Sequence, residues 1–310
     1  MRAQNRHRTR RTGRTAIIAT IAAVVLAGGG VIAGVHAMAR PPAGAVARPA
    51  VPAASSTGTE QPAGEGARSV DIADRDEQLS DALGAVAGAT AADFSVAVLD
   101  TASGAQAVYG NGTYDTASIV KVDILAALLL RAQDAGRDLT AQEKAYATVM
   151  IEQSDNEAAT ALWHAVDGAD GLAEANERLG LTGTVGGDGD LWGLTRTTAA
   201  DQLRLLRAVF GDDPPLDAGS RAYLRGLMER ISVGQDWGVT AAAETASDTA
   251  LKNGWLRRTT TGRWDINSIG RVAADGNTYL VAVLSSGHLT QAAGIALAED
   301  VAQAAVGAFR

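Results

Sequence analysis

Ser118 and Lys121 are the residues of this 310-residue chain whose types and spacing most directly suggest chemistry. They lie in the stretch Asp115-Thr-Ala-Ser118-Ile-Val-Lys121, where a long apolar segment typical of a helix begins. Residues three apart share one helical face, so the hydroxyl and the amine would lie side by side. A serine becomes a nucleophile when a base takes its proton, and a partly desolvated lysine can be that base. The helix N-terminus, capped by Asp115 or Thr116, would add N–H donors for an oxyanion.

The same stretch also fits a simpler structure, a capped core helix with a lysine at its solvent edge. Two further motifs weigh against that alternative, namely Ser154-Asp155-Asn156 and Lys252-Asn253-Gly254. Only three of the 27 Lys and Arg residues are lysines, and two of those three lie in these motifs. Arginine does not deprotonate, whereas the pKa of lysine shifts readily on burial, so the few lysines are candidate functional residues.

In their order and spacing the three motifs resemble those of the penicillin-recognising serine enzymes. The closer resemblance is to the class A β-lactamase-like serine hydrolases, whose pattern is S-x-x-K, then S-D-N, then K-T-G. It covers residues 68–310, and segments 195–206, 268–270 and 279–284 also look like parts of that family. The resemblance implies an α+β fold, with a five-stranded antiparallel sheet flanked by the terminal helices and an inserted helical domain at about 115–213.

The resemblance also implies a role for each motif residue. Ser118 would attack a β-lactam or amide carbonyl, Lys121 would take its proton, and Ser154 would pass a proton to the leaving nitrogen. Lys252 would be the cation that helps to lower the pKa of Lys121. Backbone N–H groups of Ser118 and Trp255 would form the oxyanion hole. The residues expected to bind substrate are Asn156, Lys252, Asn253, Gly254 and Trp255. For Asp155, a helix cap is a simpler role than direct chemistry.

The sequence departs from the family pattern at three places. Asn253 stands where Thr or Ser is usual, and only 36 positions separate Ser118 from Ser154, which predicts a more open cleft. The Gly-rich loop 182–193 contains no glutamate, the residue that activates the deacylating water in the family. Asp188 or Asp190 could replace it as the base, although Asp-Gly pairs also favour plain solvated turns.

Hydrophobic periodicity predicts elements that agree with this fold. Helices are expected over 71–86, 140–165, 172–179, 197–210, 217–232 and 292–309. Strands are expected over 94–100, 106–109, 250–255, 264–273 and 278–285. Strands that follow one another in hairpins favour an antiparallel sheet, and helices grouped in one insertion and at both ends favour an α+β architecture.

The N-terminal region differs in composition from the rest of the chain. Residues 1–39 combine an Arg-rich start with an apolar stretch over 16–39, which predicts a signal peptide or an uncleaved signal-anchor in the membrane. Residues 40–67 are rich in Pro and Ala and indicate a disordered linker. We therefore expect an exported protein that is either anchored at the outer face of the cytoplasmic membrane or secreted.

The charge distribution and the cysteine content indicate which partners and cofactors to expect. The first 50 residues carry eight Arg and no acid, so the rest of the chain has a net charge of −16 and is a poor candidate for nucleic acid. There is no cysteine, and the proposed chemistry needs no metal or organic cofactor. We expect a monomer that acts on a small-molecule β-lactam or a cell-wall peptide.

Three functions fit these residues. The first is hydrolysis of β-lactams through an acylated Ser118, with slow turnover because the loop glutamate is absent. The second is peptidase or transpeptidase activity on D-Ala cell-wall peptides, or esterase activity on another acyl substrate. The third is a penicillin sensor or wall-binding protein that is acylated once and does not turn over.

Overall fold

The computed structural model describes residues 63–211, 215–245 and 249–310, with side chains from Ile72 onward. The predicted export segment and most of the predicted linker lie outside these residues. Among the residues described, no helix has the length and apolar character needed to cross a membrane.

A five-stranded antiparallel sheet forms the centre of the described chain, as the sequence predicts. Its strands are β1 (Asp93–Asp100), β2 (Gln106–Tyr109), β5 (Ala250–Arg257), β6 (Trp264–Ala274) and β7 (Asn277–His288), in the order β2-β1-β7-β6-β5. A separate two-stranded ladder joins β3 (Tyr114–Asp115) to β4 (Arg196–Thr197). The strand β5 is therefore at an edge of the large sheet, where one side of its backbone is open to other elements.

Helices cover both faces of the sheet. They are α1 (Ala63–Ala89), α2 (Val120–Asp134), α3 (Ala141–Glu152), α4 (Asn156–Ala165), α5 (Gly168–Leu179), α6 (Ala199–Phe210), α7 (Ala218–Met228) and α8 (Gln291–Gly307). The α1 helix begins eight residues before its predicted start and includes the last five residues of the expected linker.

The sheet separates two apolar cores, because successive strand side chains point to opposite faces. Ala97 and Leu99 of β1 pack in the core that contains the buried helix α2. Val96 and Val98, which alternate with them, pack in the core that contains α8 and two leucines of α1. The helix α2 is thus surrounded by protein on nearly every side.

One predicted helix is divided in the structure. The sequence predicts continuous helix over 140–165, but α3 ends at Glu152 and α4 begins at Asn156. Between them Ser154 has a φ of 57°, a left-handed conformation that breaks the helix. Asp155 then caps α4 by accepting a 2.7 Å hydrogen bond from the Ala158 N–H, which confirms the capping role expected for it.

Candidate active site

Ser118 lies in a single 3₁₀ turn, Ala117–Ile119, between β3 and α2. Thr116 occupies the N-cap position of this turn, as one of the two predicted alternatives, but its side chain makes no capping bond, and Asp115 pairs in β3. Instead, Ala117 has a φ of 48°, which turns the chain abruptly before the serine. A non-glycine residue at positive φ is strained, so the surrounding contacts must hold the turn.

Three hydrogen bonds hold the turn that carries Ser118. The buried Asn267 of β6 donates its amide to the Asp115 and Thr116 carbonyls at 2.9 and 3.0 Å. The Thr116 N–H donates to the Thr195 carbonyl at 2.8 Å. Asn267 belongs to none of the three motifs, although an asparagine inside an apolar strand is a signal that a buried polar group has a partner.

The edge strand β5 reaches the same turn at Gly254. A Cβ built on Gly254 would lie 2.7 Å from the Thr116 carbonyl oxygen and 2.9 Å from the Ser118 nitrogen. Because such distances are too short for real carbon contacts, only glycine lets the strand approach this closely. The approach brings Gly254, the residue before Trp255, against the backbone nitrogen of Ser118.

Lys121 is fully buried, with every one of its ammonium hydrogens accounted for. Its Nζ donates to the Ser154 carbonyl at 2.7 Å, to Ser154 Oγ at 3.1 Å and to Asn156 Oδ1 at 2.8 Å. The positive φ of Ser154 turns both its carbonyl and its hydroxyl towards the amine. The half-buried Ser118 precedes Lys121 by one turn, so the two side chains emerge on the same side of the helix start.

Lys252 approaches Ser154 from the opposite side. Its Nζ donates to Ser154 Oγ at 3.1 Å and to the Asn253 carbonyl at 2.9 Å, and the side chain is fully buried. The Ser154 hydroxyl therefore lies between two lysine amines. Since a hydroxyl both accepts and donates, it can move a proton between them or onto a third group.

Burial lowers the pKa of both lysines. Loss of water lowers the pKa of Lys121 to about 7, and the carboxylate of Asp155 acts in the opposite direction. The pKa of Lys252 falls well below its ordinary value, first through burial and then through the charge of Lys121. A lysine with a pKa near 7 is neutral in a substantial fraction of molecules at neutral pH, which a general base needs.

The side chain of Asn253 does not face the two lysines. It is buried, and its amide donates to the Gln235 and Trp237 carbonyls, both at 2.9 Å. The prediction that Asn253 binds substrate with its side chain does not fit this placement. The asparagine side chain is longer than the Thr or Ser usual at this position, and it reaches the loop 232–238. Because successive side chains of a strand point to opposite faces, it is directed away from Lys252.

Trp255 and Asn156 form exposed parts of the site. Trp255 is half-buried, and its ring lies 6.1 Å from the ring of Trp237 in a tilted arrangement. Asn156 is exposed, and its Oδ1 accepts from Lys121, so its Nδ2 takes no part in that bond. Both residues are therefore placed where a substrate amide could contact them.

The two aspartates considered as deacylating bases lie on the loop 182–193, away from the lysine pair. Asp190 is exposed, and its Oδ1 lies 2.5 Å from His164 Nε2 on α4. Asp188 is also exposed. The structure brings neither aspartate to Ser118 or Lys121. The loop residue that does reach Lys121 is Trp192, whose ring centroid lies 4.9 Å from Nζ.

A cavity of about 560 Å³ opens beside this tryptophan, between the loop 182–193 and the end of β5. Its walls include the apolar side chains of Leu191, Trp192 and Leu256, with Arg257 and Arg258 at one side. Arg258 pairs with the buried carboxylate of Asp115, two residues before the 3₁₀ turn. The cavity could thus receive the part of a substrate that extends from a carbonyl at Ser118. Within the described residues, no cluster of His, Asp and Glu could hold a metal ion.

Several solved structures share this fold. A class A β-lactamase from Bacteroides cellulosilyticus is 18% identical with a TM-score of 0.65, covering 76% of this chain and 98% of its own. A β-lactamase from Xanthomonas campestris is 20% identical with a TM-score of 0.63, covering 76% and 99%. An ancestral class A β-lactamase is 23% identical with a TM-score of 0.61, covering 74% and 100%. At these identities the likeness shows the fold.

Comparison of sequences finds curated relatives and a matching family model. Proteins named "Putative lipoprotein LppW", from Mycobacterium bovis and Mycobacterium tuberculosis, are 29% identical over 178 residues, which is 55% of this chain and 56% of theirs. The chain thus spans about half the length of the curated relatives it matches. A model of the beta-lactamase enzyme family matches residues 142–309, more than half of the chain. Together with the motif order and the shared fold, this match makes the chain a member of the beta-lactamase enzyme family.

Proposed function

We propose that this protein is a serine hydrolase in which Ser118 is acylated by β-lactams and the acyl group is released slowly. The observation that carries the proposal is the position of Ser154 Oγ, 3.1 Å from both Lys121 Nζ and Lys252 Nζ. Two buried amines joined by one hydroxyl form a proton path beside a serine at a helix start.

In the acylation step, Ser118 Oγ attacks the carbonyl carbon and its proton passes to the neutral amine of Lys121. The negative oxygen that forms is bound by backbone N–H groups of Ser118 and Trp255. When the carbon–nitrogen bond breaks, the nitrogen takes the hydroxyl proton of Ser154. Lys121 returns its extra proton to Ser154, so the amine is neutral again and Ser118 carries the acyl group.

Release of the acyl group needs a water molecule and a base within hydrogen-bond distance of it. Asp190 is engaged with His164 of α4, and the indole of Trp192 lies against Lys121 instead of a carboxylate. This arrangement supports slow hydrolysis. It also supports a second candidate function, a penicillin sensor that is acylated once.

The location that we propose is the outer face of the cytoplasmic membrane or the extracellular space. The mycobacterial relatives are named lipoproteins, but this chain has no cysteine that could carry a lipid. Its apolar segment 16–39 would take over the anchoring role if it is not cleaved. Substrate binding would not require a second subunit or nucleic acid.

The test is incubation of the protein with a penicillin, followed by intact-mass spectrometry. We expect a mass increase of one penicilloyl group in the wild type and none in Ser118→Ala. No adduct in the wild type, or an equal adduct in both proteins, would refute the proposal. Parallel assays with nitrocefin and a D-Ala-D-Ala peptide distinguish β-lactam hydrolysis from peptidase activity. Hydrolysis of more than one substrate molecule per protein molecule excludes the sensor.

A further inference from the structure

Trp192 covers the catalytic amine from the side of the loop 182–193. Its ring centroid lies 4.9 Å from Lys121 Nζ, and the lysine has no exposed surface. The indole N–H donates to Thr160 Oγ1 of α4 at 3.1 Å. The contact therefore joins three separate elements, the loop, α4 and the start of α2.

The loop is shaped to hold this ring in place. Trp192 begins a 3₁₀ turn, Trp192–Leu194, whose end is closed by a 3.1 Å bond from the Thr195 N–H to the Trp192 carbonyl. Thr195 Oγ1 also accepts from the Gly187 N–H at 3.2 Å, across the neck of the loop. The next residue, Gly193, lies against Ala117, so the loop packs directly on the turn that carries Ser118.

The groups that face Lys121 differ in how they affect its charge. Asp155, at the start of α4, favours the charged amine, whereas burial opposes it, and the charge of Lys121 in turn lowers the pKa of Lys252 on β5. Ser154 and Asn156 supply neutral oxygen acceptors. The face of an indole carries negative electrostatic potential and attracts a cation, yet it excludes water and offers no lone pair to activate it.

We propose that Trp192 is a positioning residue that sets the proton affinity of Lys121 and keeps water away from its amine. In the reaction it holds back hydrolysis of the acyl group, because the space beside the amine is filled by an aromatic ring. The slower hydrolysis of the acyl group rests on the proposed function, whereas the effect of Trp192 on the proton affinity of Lys121 does not.

The chain offers a direct measurement, because it contains only three lysines. Protein labelled with ¹³C at the lysine Cε gives three resonances, whose titration reports each amine in the absence of substrate. Lys144→Arg and Lys252→Arg variants assign two of the resonances. The proteins compared are the wild type, Trp192→Phe, Trp192→Ala and two controls, Thr160→Val and Trp237→Phe.

We expect Trp192→Phe to lower the pKa of Lys121 by up to about one unit, because phenylalanine fills the space but attracts a cation less strongly. Trp192→Ala should raise the pKa, because water reaches the amine and solvates its charged form. Thr160→Val keeps the indole and removes only its hydrogen bond, and Trp237→Phe alters a tryptophan that lies on Trp255. Both controls should leave the Lys121 titration close to that of the wild type.

A Lys121 pKa that is unchanged in both Trp192 variants would overturn the inference. A shift in Thr160→Val as large as that in Trp192→Phe would also overturn it, by assigning the effect to the hydrogen bond. In acylated protein, Trp192→Ala should lose its penicilloyl group at least about tenfold faster than Trp192→Phe. If no variant is acylated, the proposed function fails while the titration still decides the role of Trp192.

Discussion

Gly254→Ala is predicted to separate the oxyanion donors without removing any catalytic side chain. The added Cβ would lie 2.7 Å from the Thr116 carbonyl oxygen and 2.9 Å from the nitrogens of Ser118 and Ile119. All three are backbone atoms held by the turn, so the edge strand itself must withdraw. To reach an ordinary contact of 3.4 Å from the Thr116 oxygen, it has to move by about 0.7 Å.

A displacement of this size matters because the proposed oxyanion hole lies between the two backbones that are pushed apart. Loss of one oxyanion donor slows acyl transfer by about 10²–10³-fold, and a misplacement near 1 Å has an effect of about 10²-fold. We therefore expect the second-order rate of acylation by a fluorescent penicillin to fall by about 10²-fold in Gly254→Ala.

The assay needs a matched control, which the helix α1 provides. A Cβ on Gly84 meets no atom within 4 Å, so Gly84→Ala should be acylated at the wild-type rate. Thermal unfolding of both variants separates a local effect at the cleft from general loss of structure. If Gly254→Ala stays folded and is acylated as fast as Gly84→Ala, the assignment of the oxyanion hole to this contact is refuted.

Further predictions concern pH and the loop carboxylate. Since the pKa of Lys121 is about 7 and the neutral amine acts as base, the acylation rate should rise about tenfold per unit below pH 7 and level off above it; a rate still rising steeply at pH 9 would contradict this. Burial raises the pKa of Asp123 to about 8, so its folded form keeps a proton that the unfolded chain loses above about pH 4. Stability should therefore decline by up to about 1.4 kcal/mol per pH unit between these values, and Asp123→Asn should reduce that slope in urea unfolding at pH 5 and 7.5. Asp190→Asn should leave the rate of acyl release unchanged, and a tenfold decrease would restore Asp190 as the base.

The motif residues could be predicted because each belongs to a short pattern, and few sequences contain these residue types in this order. Ser118, Lys121 and Lys252 belong to short patterns, and the scarcity of lysine in the chain drew attention to the two amines. Both amines meet at Ser154 through contacts between residues about 100 positions apart. The local patterns do not predict these contacts, whereas the resemblance to the family does.

Other parts of the site depend on packing that leaves no local signal. Asn253 is directed to the loop 232–238 by the carbonyls that happen to lie there. Asn267 holds the turn before Ser118 from a distant strand. Trp192 covers Lys121 from a Gly-rich loop, where an aromatic side chain gives no signal of which charge it will cover.

The sheet was predicted more accurately than the boundaries around the site. All five strands of the large sheet occur, because alternating apolar residues in hairpins determine them. The sequence does not predict the break between α3 and α4, since the positive φ at Ser154 accompanies long-range bonds to Lys121 and is not a general property of serine.

The central claim is that Lys121 activates Ser118 for acylation. Peptide mapping after brief exposure to a labelled penicillin tests it most directly, in the wild type and in Lys121→Arg. A guanidinium does not act as a base at accessible pH, so the arginine variant keeps the positive charge but loses the proton acceptor. We predict one label on the peptide that contains Ser118 in the wild type and none in Lys121→Arg. A label on another residue, or equal labelling of Ser118 in both proteins, would contradict the claim.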